Sequence, residues 1–407
     1  MIQYNNPVYH DLITQYQTWP ELKTYLLSLG LHISDQQQHY CIIRSKAGIS
    51  VEHFPITRWF RSTVWDMEKN RPVSVAPPNA TKQFPYISCQ EVLDAGLICQ
   101  EFLDGFMMNC FVANDAMIIT SRSKLGGTGH FYSSKSFHDL FLEAIGDRYS
   151  GLNMLDGANH AKGELSVSYS FLVQHTEHRV VTPITVNRAV LIQKTTLMQD
   201  GMAIVEDGIE SFREEVQIPC IPIGSDMSVQ GSDLSVQDWI AQIIAEKTWA
   251  FQGIVLKDAH GNRWRFRNES YMQVKALRGN TASHVERFAQ LYRLNSIEIY
   301  LHYYPLESYT FVCNNVFMNM IHQTVYNYYV QLHITKTITM DEIDKQYRRH
   351  VWMLHKHYMN VLRPLKKKIT YNEVACYFVT LPWQVLAYLL RISQDSYFSL
   401  MSEVINQ

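Results

Sequence analysis

The chain has 407 residues, of which 46% are hydrophobic and 18% are charged, and its formal net charge is -2. This composition excludes a disordered chain, and the length favours two domains over one. The small net charge excludes nucleic-acid binding by the whole surface, although a local groove can still be basic.

Cysteine usage and hydropathy indicate the compartment. The seven cysteines form no Cys-x-x-Cys pair, so we predict neither a metal site nor a disulfide framework. No apolar run reaches membrane-spanning length, and the amino terminus is polar. We therefore expect a protein of a reducing, cytoplasmic compartment that does not bind membranes.

The first third of the chain alternates between helix and strand signals. Residues 9–30 carry apolar side chains at helical spacing, and Gly30 is a suitable stop. Residues 40–66 are typical of extended chain, and a proline-rich connection follows at 71–85. Short apolar runs with a turn at Asn114-Asp115 then predict three strands. They cover 97–103, 106–112 and 117–121.

The middle of the chain continues this pattern. We predict helices at 136–145 and 238–249, and a loop at 224–234. The predicted strands are 165–173, 179–184, 189–193, 253–257 and 262–267. From about residue 281 the alternation gives way to aromatic-rich helical segments. These are 283–294, 314–333, 340–362 and 371–392.

Four stretches, in order, carry a recognisable chemistry. They are Arg61 to Asp66, Phe102 to Gly105 with Arg122 on the next strand, Phe171 to Val181, and Gln252 to Val255 with Arg265 to Asn268. Together they resemble the RNA ligase 1 family of T-even bacteriophage and related ligases of large DNA viruses. Tyr271 to Asn280 and the helical tail also resemble the viral ligases, so the likeness runs from about residue 60 to the end.

The resemblance implies a fold and a domain division. The expected fold class is α+β, with an antiparallel-sheet nucleotidyltransferase domain of the ATP-grasp-like ligase type and an all-helical carboxyl-terminal domain. The expected boundaries are a lead-in at 1–55, the ligase-like domain at 56–280 and the helical domain at 281–407. Four ordered motifs are a strong signal for a fold and a weaker one for an activity, because function depends on the site.

Three motif positions lack the residue that the family's reaction needs. Phe102 stands where a lysine would attack the nucleotide α-phosphate, and phenylalanine has no lone pair to do so. Leu172 and Gln252 stand where the family has carboxylates, and neither supplies negative charge for Mg²⁺. The sequence therefore predicts that these three positions are vestigial, so that no catalytic residue is intact.

Other motif positions keep residues able to hold phosphate or shape a nucleotide pocket. The preserved positions are Arg61, Asp104, Gly105, Arg122 and Arg179. Arg265 and Arg267 replace two family lysines and keep the positive charge, but not the compact ammonium. We predict these seven as nucleotide- or phosphate-binding candidates, with a solvated face as the alternative for Arg265 and Arg267.

A basic stretch in the helical tail is the candidate for RNA contact. Its cations are interleaved with aromatic residues, a pattern that suits a nucleic-acid backbone with occasional base stacking. The alternative is a solvated cationic face whose aromatic side chains point to the core. The candidates are Arg348, Arg349, Lys356, Lys366, Lys367 and Lys368.

The predicted function is an RNA-ligase-like pseudoenzyme that has lost lysine adenylylation and binds RNA ends or protein partners, including viral proteins. One alternative is an ATP-dependent RNA ligase that seals pre-adenylated ends or uses another lysine, such as Lys82 or Lys124. That alternative requires ATP and Mg²⁺. Another is a structural viral protein whose pocket is plugged by Phe102 and Leu172. A viral source would place the protein in host cytoplasm or in the virion.

Overall fold

The structure, a computed structural model, describes residues 2–37, 39–46, 54–113, 116–147, 164–207, 220–221 and 235–405. The chain divides into two compact units, Met1–Lys275 and Ala276–Gln407. The predicted turn at 114–115 and the predicted loop at 224–234 lie outside the described residues. The domain boundaries drawn from the sequence stay a prediction.

The largest sheet of the first unit has six antiparallel strands in the order β1-β11-β10-β9-β7-β8. β9 pairs with β7, and β1 pairs with β11, although the strands of each pair are distant in sequence, so long-range packing sets the sheet order. The strands are β1 (Ile2–Asn6), β7 (Phe106–Ala113), β8 (Ala116–Ser121), β9 (Glu164–Gln174), β10 (Arg188–Met198) and β11 (Ala203–Asp207).

Two smaller antiparallel sheets complete the β structure described for this unit. The four-stranded sheet runs β2-β3-β4-β5, and the three-stranded sheet runs β13-β12-β6. The strands are β2 (His32–Gln37), β3 (Tyr40–Arg44), β4 (Thr63–Asp66), β5 (Arg71–Val75), β6 (Ile98–Glu101), β12 (Gly253–Lys257) and β13 (Arg263–Arg267).

Capped amphipathic helices cover these sheets. Ser136 caps α4 and Ser235 caps α5, each accepting a hydrogen bond from the backbone three residues on. Phe141 of α4 packs against the core residues of β9, and Trp239 of α5 packs against those of β12. The helices are α1 (Val8–Gln15), α2 (Trp19–Ser28), α3 (Cys89–Asp94), α4 (Phe137–Ile145), α5 (Val236–Ala245) and α6 (Glu269–Arg278).

The second unit is helical throughout its described residues. Its helices pack around a core that contains Phe288, Phe311 and Phe378, all buried. They are α7 (His284–Arg293), α8 (Ile297–Tyr303), α9 (Ser308–Tyr329), α10 (Lys345–His357), α11 (Tyr371–Thr380) and α12 (Trp383–Ile405). The predictions of an α+β fold with antiparallel sheets and of a helical carboxyl-terminal region are confirmed.

Some predicted elements were wrong, two of them for a local reason. The helix expected at 9–30 is two helices, because Thr18 and Glu21 form a capping box that starts α2. The helix expected at 371–392 breaks before Pro382, which has no N–H to continue the ladder. Residues 179–184 form no strand.

No helix among the described residues is long and apolar enough to span a bilayer.

Candidate functional site

Asp104, between β6 and β7, holds three segments of the first unit together. The backbone N–H groups of Val181 and Thr182 each donate a hydrogen bond to its Oδ2, at 2.9 Å. The hydroxyl of Tyr271 on α6 donates to its Oδ1, also at 2.9 Å. This is why the segment after β9 does not join a sheet: its amides bind a carboxylate instead. Both Asp104 side-chain oxygens are thereby occupied within the protein.

Gly105 lets β7 approach β9 closely. A Cβ atom at this position would lie 2.4 Å from the carbonyl oxygen of Val173 and 3.2 Å from Cγ of Leu172. A side chain there would push the two strands apart. Gly105 therefore shapes the site through the backbone, and Asp104 shapes it through the hydrogen bonds that its carboxylate accepts.

Five arginines from three parts of the first unit form what we call the arginine cluster. Arg61 lies just before β4, Arg122 follows β8, and Arg263, Arg265 and Arg267 lie on β13. Arg61 is in the electrostatic field of the other four. The sequence analysis singled out four of them; it missed Arg263, although the alternation of arginines on β13 was visible.

The alternation along β13 explains why three of these arginines share one face. Trp264 and Phe266 pack against the apolar cluster that includes α5. Successive side chains of a strand point to opposite faces, so the arginines at alternate positions point the other way. The apolar side of the strand thus fixes the direction of its cationic side.

The arginine cluster is crowded with like charge. Burial, and then the positive charge of the four other guanidiniums, lower the pKa of Arg61 to about 9. Burial also lowers the pKa of Arg122 and of Arg265, with Arg44 adding to the first effect and Arg267 to the second. A guanidinium still keeps its proton at neutral pH. The cluster is therefore a concentration of positive charge that destabilises itself unless an anion is near.

Among the described residues, four arginines of the second unit form salt bridges: Arg278, Arg287, Arg348 and Arg391. The arginine cluster instead has buried nitrogens without an acceptor there: Nη1 of Arg263, Nε of Arg265 and Nε of Arg267. Donors of this kind are costly when unsatisfied, and an oxyanion would satisfy them.

The three motif positions that the sequence predicts to be vestigial lie in different surroundings. Phe102 is half-buried beside β6, with its ring centroid 5.7 Å from the guanidinium carbon of Arg267. Leu172 packs against a small apolar cluster formed by Ala76, Met107 and Ile192. Gln252, next to Gly253, is buried. The structure thus places Phe102 at the arginine cluster and gives Leu172 apolar neighbours.

Arg179 is engaged by its own segment. Its Nε donates a hydrogen bond to the carbonyl oxygen of Val181 at 2.8 Å, and its guanidinium carbon lies 5.6 Å from the ring centroid of Trp249. Its role as a phosphate-binding candidate stays a prediction.

Lysines near the site differ from those expected. Lys82 and Lys124, the two named from the sequence, are exposed. Lys275 on α6 was missed: burial lowers its pKa, Arg267 lowers it further, and Asp104 partly opposes them. Its Nζ lies 5.9 Å from the ring centroid of Tyr271, one helical turn earlier. In the sequence, only the position of Lys275 one helical turn after Tyr271 indicated that it lies near this site.

The RNA-binding candidates of the second unit divide into two groups. Arg348 is tied down, since its Nε donates to the carbonyl oxygen of Ile343 at 2.7 Å and its Nη1 lies 3.3 Å from Oδ1 of Asp341. The other candidates are exposed. They are Arg349, Lys356, Lys366, Lys367 and Lys368.

One group of side chains in the described residues has donor atoms close enough to hold a metal ion: Glu143, His175 and Glu177. The ammonium of Lys135 lies 2.9 Å from Glu143 and 2.7 Å from Glu177, so both carboxylates are already ion-paired with one cation. His175 Nε2 lies 3.0 Å from Oε2 of Glu143. The arrangement serves as an ion-pair network at the end of β9.

No protein-family model and no curated protein matches this sequence. The solved structures that are similar in part include two RNA ligases. An archaeal ATP-dependent RNA ligase, form 1, has 9% identity and a TM-score of 0.32, over 70% of this chain and 68% of that one. A Naegleria gruberi RNA ligase mutant with ATP and Mn has 12% identity and a TM-score of 0.29, over 60% of this chain and 76% of that one. Scores this low carry no argument about the activity of this chain.

Proposed function

We propose that this protein is an RNA-ligase-like pseudoenzyme that binds the phosphorylated end of RNA and does not form a lysine adenylate at the motif position. The observation that carries the proposal is the arginine cluster, whose charge has no carboxylate partner among the described residues, with Phe102 at its edge. Viral partners, a viral source and a place in cytoplasm or virion remain predictions from the sequence.

Phosphate is the anion that this chemistry fits best. A guanidinium presents its N–H donors in a planar fork that matches two phosphate oxygens, and such charge-assisted hydrogen bonds are among the strongest in proteins. Arg265 and Arg267 lie on one face of β13, so two guanidiniums can bind the same phosphate group. A terminal phosphate carries more negative charge than a backbone phosphodiester, so the cluster would favour RNA ends over internal positions.

The same site is poorly equipped for the first step of ligation. Phe102 offers no nucleophile, and Leu172 offers no oxygen. Gln252 is neutral, and both Asp104 side-chain oxygens already accept hydrogen bonds. Mg²⁺ prefers charged oxygen ligands, and this donor set does not fit it. Binding without chemistry is therefore the function that these residues support.

The test compares RNA oligonucleotides of one sequence that carry a 5'-phosphate or a 5'-hydroxyl. We expect tighter binding of the phosphorylated oligonucleotide, and loss of that preference in Arg265→Gln and Arg267→Gln. Arg293→Gln, which removes an exposed arginine of α7, is the matched control and should keep the preference. Equal affinity of the unmodified protein for the two oligonucleotides would contradict the proposal.

A second candidate function is ligation by a substitute lysine, and Lys275 is the observation in its favour. A lysine that is buried beside other cations loses its proton more readily and becomes nucleophilic. The Nζ lone pair would attack the α-phosphorus of ATP. A P–N bond would form, the bond to pyrophosphate would break, and Nζ would lose one proton.

Incubation with ATP labelled on the α-phosphate separates the two candidates. The pseudoenzyme proposal expects no covalent label on a denaturing gel. A label that is lost in Lys275→Arg, and retained in Lys82→Arg and Lys124→Arg, would establish Lys275 as the nucleophile. A separate assay with pre-adenylated RNA would show whether the sealing step alone survives.

A further inference from the structure

The segment 345–368 of the second unit is strongly basic. It contains eight lysines and arginines and no aspartate or glutamate, in a chain whose net charge is -2. Such a run is often no more than a solvated face, so the direction of its side chains decides what it can bind.

On α10 the exposed side chains form one stripe, which we call the α10 stripe: Lys345, Arg349, Trp352 and Lys356. All four are exposed, and their spacing of four, three and four residues places them on one helix face. The opposite face is buried in the core of the unit through Tyr347, His350, Val351 and Leu354. This buried face fixes the rotation of α10 about its own axis, so the α10 stripe faces solvent.

Further exposed cations follow α10 in the sequence. Arg363 and the turn of Lys366, Lys367 and Lys368 are exposed as well. Lys366 has a φ of 55°, a left-handed conformation that reverses the chain at this turn. The cations therefore extend past the end of α10 without an intervening acidic side chain in the segment.

Trp352 is the feature that distinguishes the α10 stripe from an ordinary solvated face. Its side chain is 53% exposed, although tryptophan is highly buried on average. The ammonium of Lys356 lies 5.5 Å from its ring centroid. Arg349 precedes the ring by one helical turn, and Lys356 follows it by one. An aromatic ring thus stands between two cations.

We propose that the α10 stripe binds single-stranded RNA, with a base stacked on Trp352 and flanking phosphates on Arg349 and Lys356. Stacking requires a base that is not already paired, whereas the bases of a duplex are stacked on one another and out of reach. Lys345 and the turn at 366–368 would contact further phosphates. The stripe covers about 16 Å of helix, which is room for a few nucleotides.

The placement of the stripe favours RNA over a membrane surface. A helix that lies in a bilayer interface inserts an apolar face and exposes a polar one. On α10 the apolar face is already buried within the unit, and the exposed face has one aromatic side chain among three cations. This RNA contact is independent of the arginine cluster, because it does not require a terminal phosphate.

The experiment measures binding of the full chain to a single-stranded RNA oligonucleotide with a 5'-hydroxyl, by fluorescence anisotropy. We expect Trp352→Ala to weaken binding about 10-fold and Trp352→Phe to retain most of it. Tyr309→Ala, at another exposed aromatic residue of the second unit, is the matched control and should leave the affinity unchanged. Thermal unfolding of each variant checks that it is folded.

Salt dependence tests the cationic part of the stripe. Each phosphate contact to single-stranded nucleic acid contributes about 0.7 to the slope of log affinity against log salt concentration. Arg349→Gln and Lys356→Gln should each reduce the slope by about that amount, and Arg293→Gln should not. Variants of the stripe should keep the preference for a 5'-phosphate, since that preference belongs to the arginine cluster.

Three results would overturn the inference. One is unchanged affinity in folded Trp352→Ala. Another is equal binding of a duplex and a single strand, since a duplex offers no base for stacking. The last is binding to phosphatidylserine vesicles that Trp352→Ala abolishes while RNA binding persists, which would make the stripe a membrane contact. If the unmodified protein shows no preference for a 5'-phosphate, only the proposed end-binding function is refuted.

Discussion

Replacement of Asp104 by alanine tests whether this carboxylate organises the candidate site. The substitution removes the acceptor of three hydrogen bonds, two from the amides of Val181 and Thr182 and one from the hydroxyl of Tyr271. Val181 is buried, so its amide would lose its partner away from water. The segment after β9 would keep other contacts, such as the bond from the Thr182 hydroxyl to the carbonyl oxygen of Ala250, but would lose its attachment to the residue before β7.

The magnitude follows from the number and type of these bonds. A hydrogen bond to a charged group contributes about 1.5–3 kcal/mol, and a buried donor left without a partner costs about 1–3 kcal/mol. The three bonds share one carboxylate, so their contributions do not add independently. We expect Asp104→Ala to destabilise the first unit by about 3–5 kcal/mol. Tyr271→Phe, which removes one bond, should cost about 1–2 kcal/mol.

Hydrogen exchange read by mass spectrometry is the appropriate assay, because two units need not unfold together. In Asp104→Ala, peptides containing Val181 and Thr182 should exchange about 100- to 4,000-fold faster, since each 1.4 kcal/mol corresponds to a factor of ten. Asp104→Asn is the conservative control and should show a smaller change, because its amide oxygen can still accept from the two backbone N–H groups.

Unaltered protection of Val181 and Thr182 in Asp104→Ala would refute this reasoning. It would mean that water or another acceptor replaces the carboxylate at no cost. Equal effects of Asp104→Ala and Tyr271→Phe would also contradict it, because the two backbone bonds would then contribute nothing.

Three further predictions concern other parts of the chain. Gly105→Ala should destabilise the first unit by about 2–4 kcal/mol in urea unfolding, since its Cβ would lie 2.4 Å from the Val173 carbonyl oxygen; a stable variant would contradict the close approach. Lys257→Met should cost about 3–5 kcal/mol by leaving Asp207, 2.7 Å from Nζ, without its partner, and the double change Lys257→Met with Asp207→Leu should recover most of that loss. Burial lowers the pKa of His322 to about 4 from its usual 6.5, so the unfolded chain binds the proton more tightly and the second unit should lose stability as the pH falls through this interval; His322→Phe should reduce that acid sensitivity in thermal unfolding.

Local sequence patterns determined the elements of this protein well. Alternating apolar residues specify β9, a short continuous apolar run specifies β12, and helical spacing specifies α4, α5 and the helices of the second unit. The arginines of β13 can be placed on one face from the sequence, because their neighbours Trp264 and Phe266 are apolar. Such patterns act over a few residues, and a few residues are enough to define a helix or a strand.

The composition of the candidate site depended on long-range packing. Arg61 and Arg122 come from distant parts of the chain, and their approach to β13 follows from how three sheets pack. Residues 179–184 were predicted as a strand. Their backbone N–H groups at Val181 and Thr182 instead donate hydrogen bonds to the Asp104 carboxylate.

Neighbouring residues likewise acquired different roles only through packing. Arg348 bonds to the turn before α10, while Arg349 is exposed on the stripe. Tyr347 is buried, and Trp352 is not. The position of Lys275 in the field of Arg267 and Asp104 arises in the same way. The sequence carries the type of each side chain and its local periodicity. Which charges meet, and which aromatic ring faces water, is decided by contacts between residues far apart along the chain.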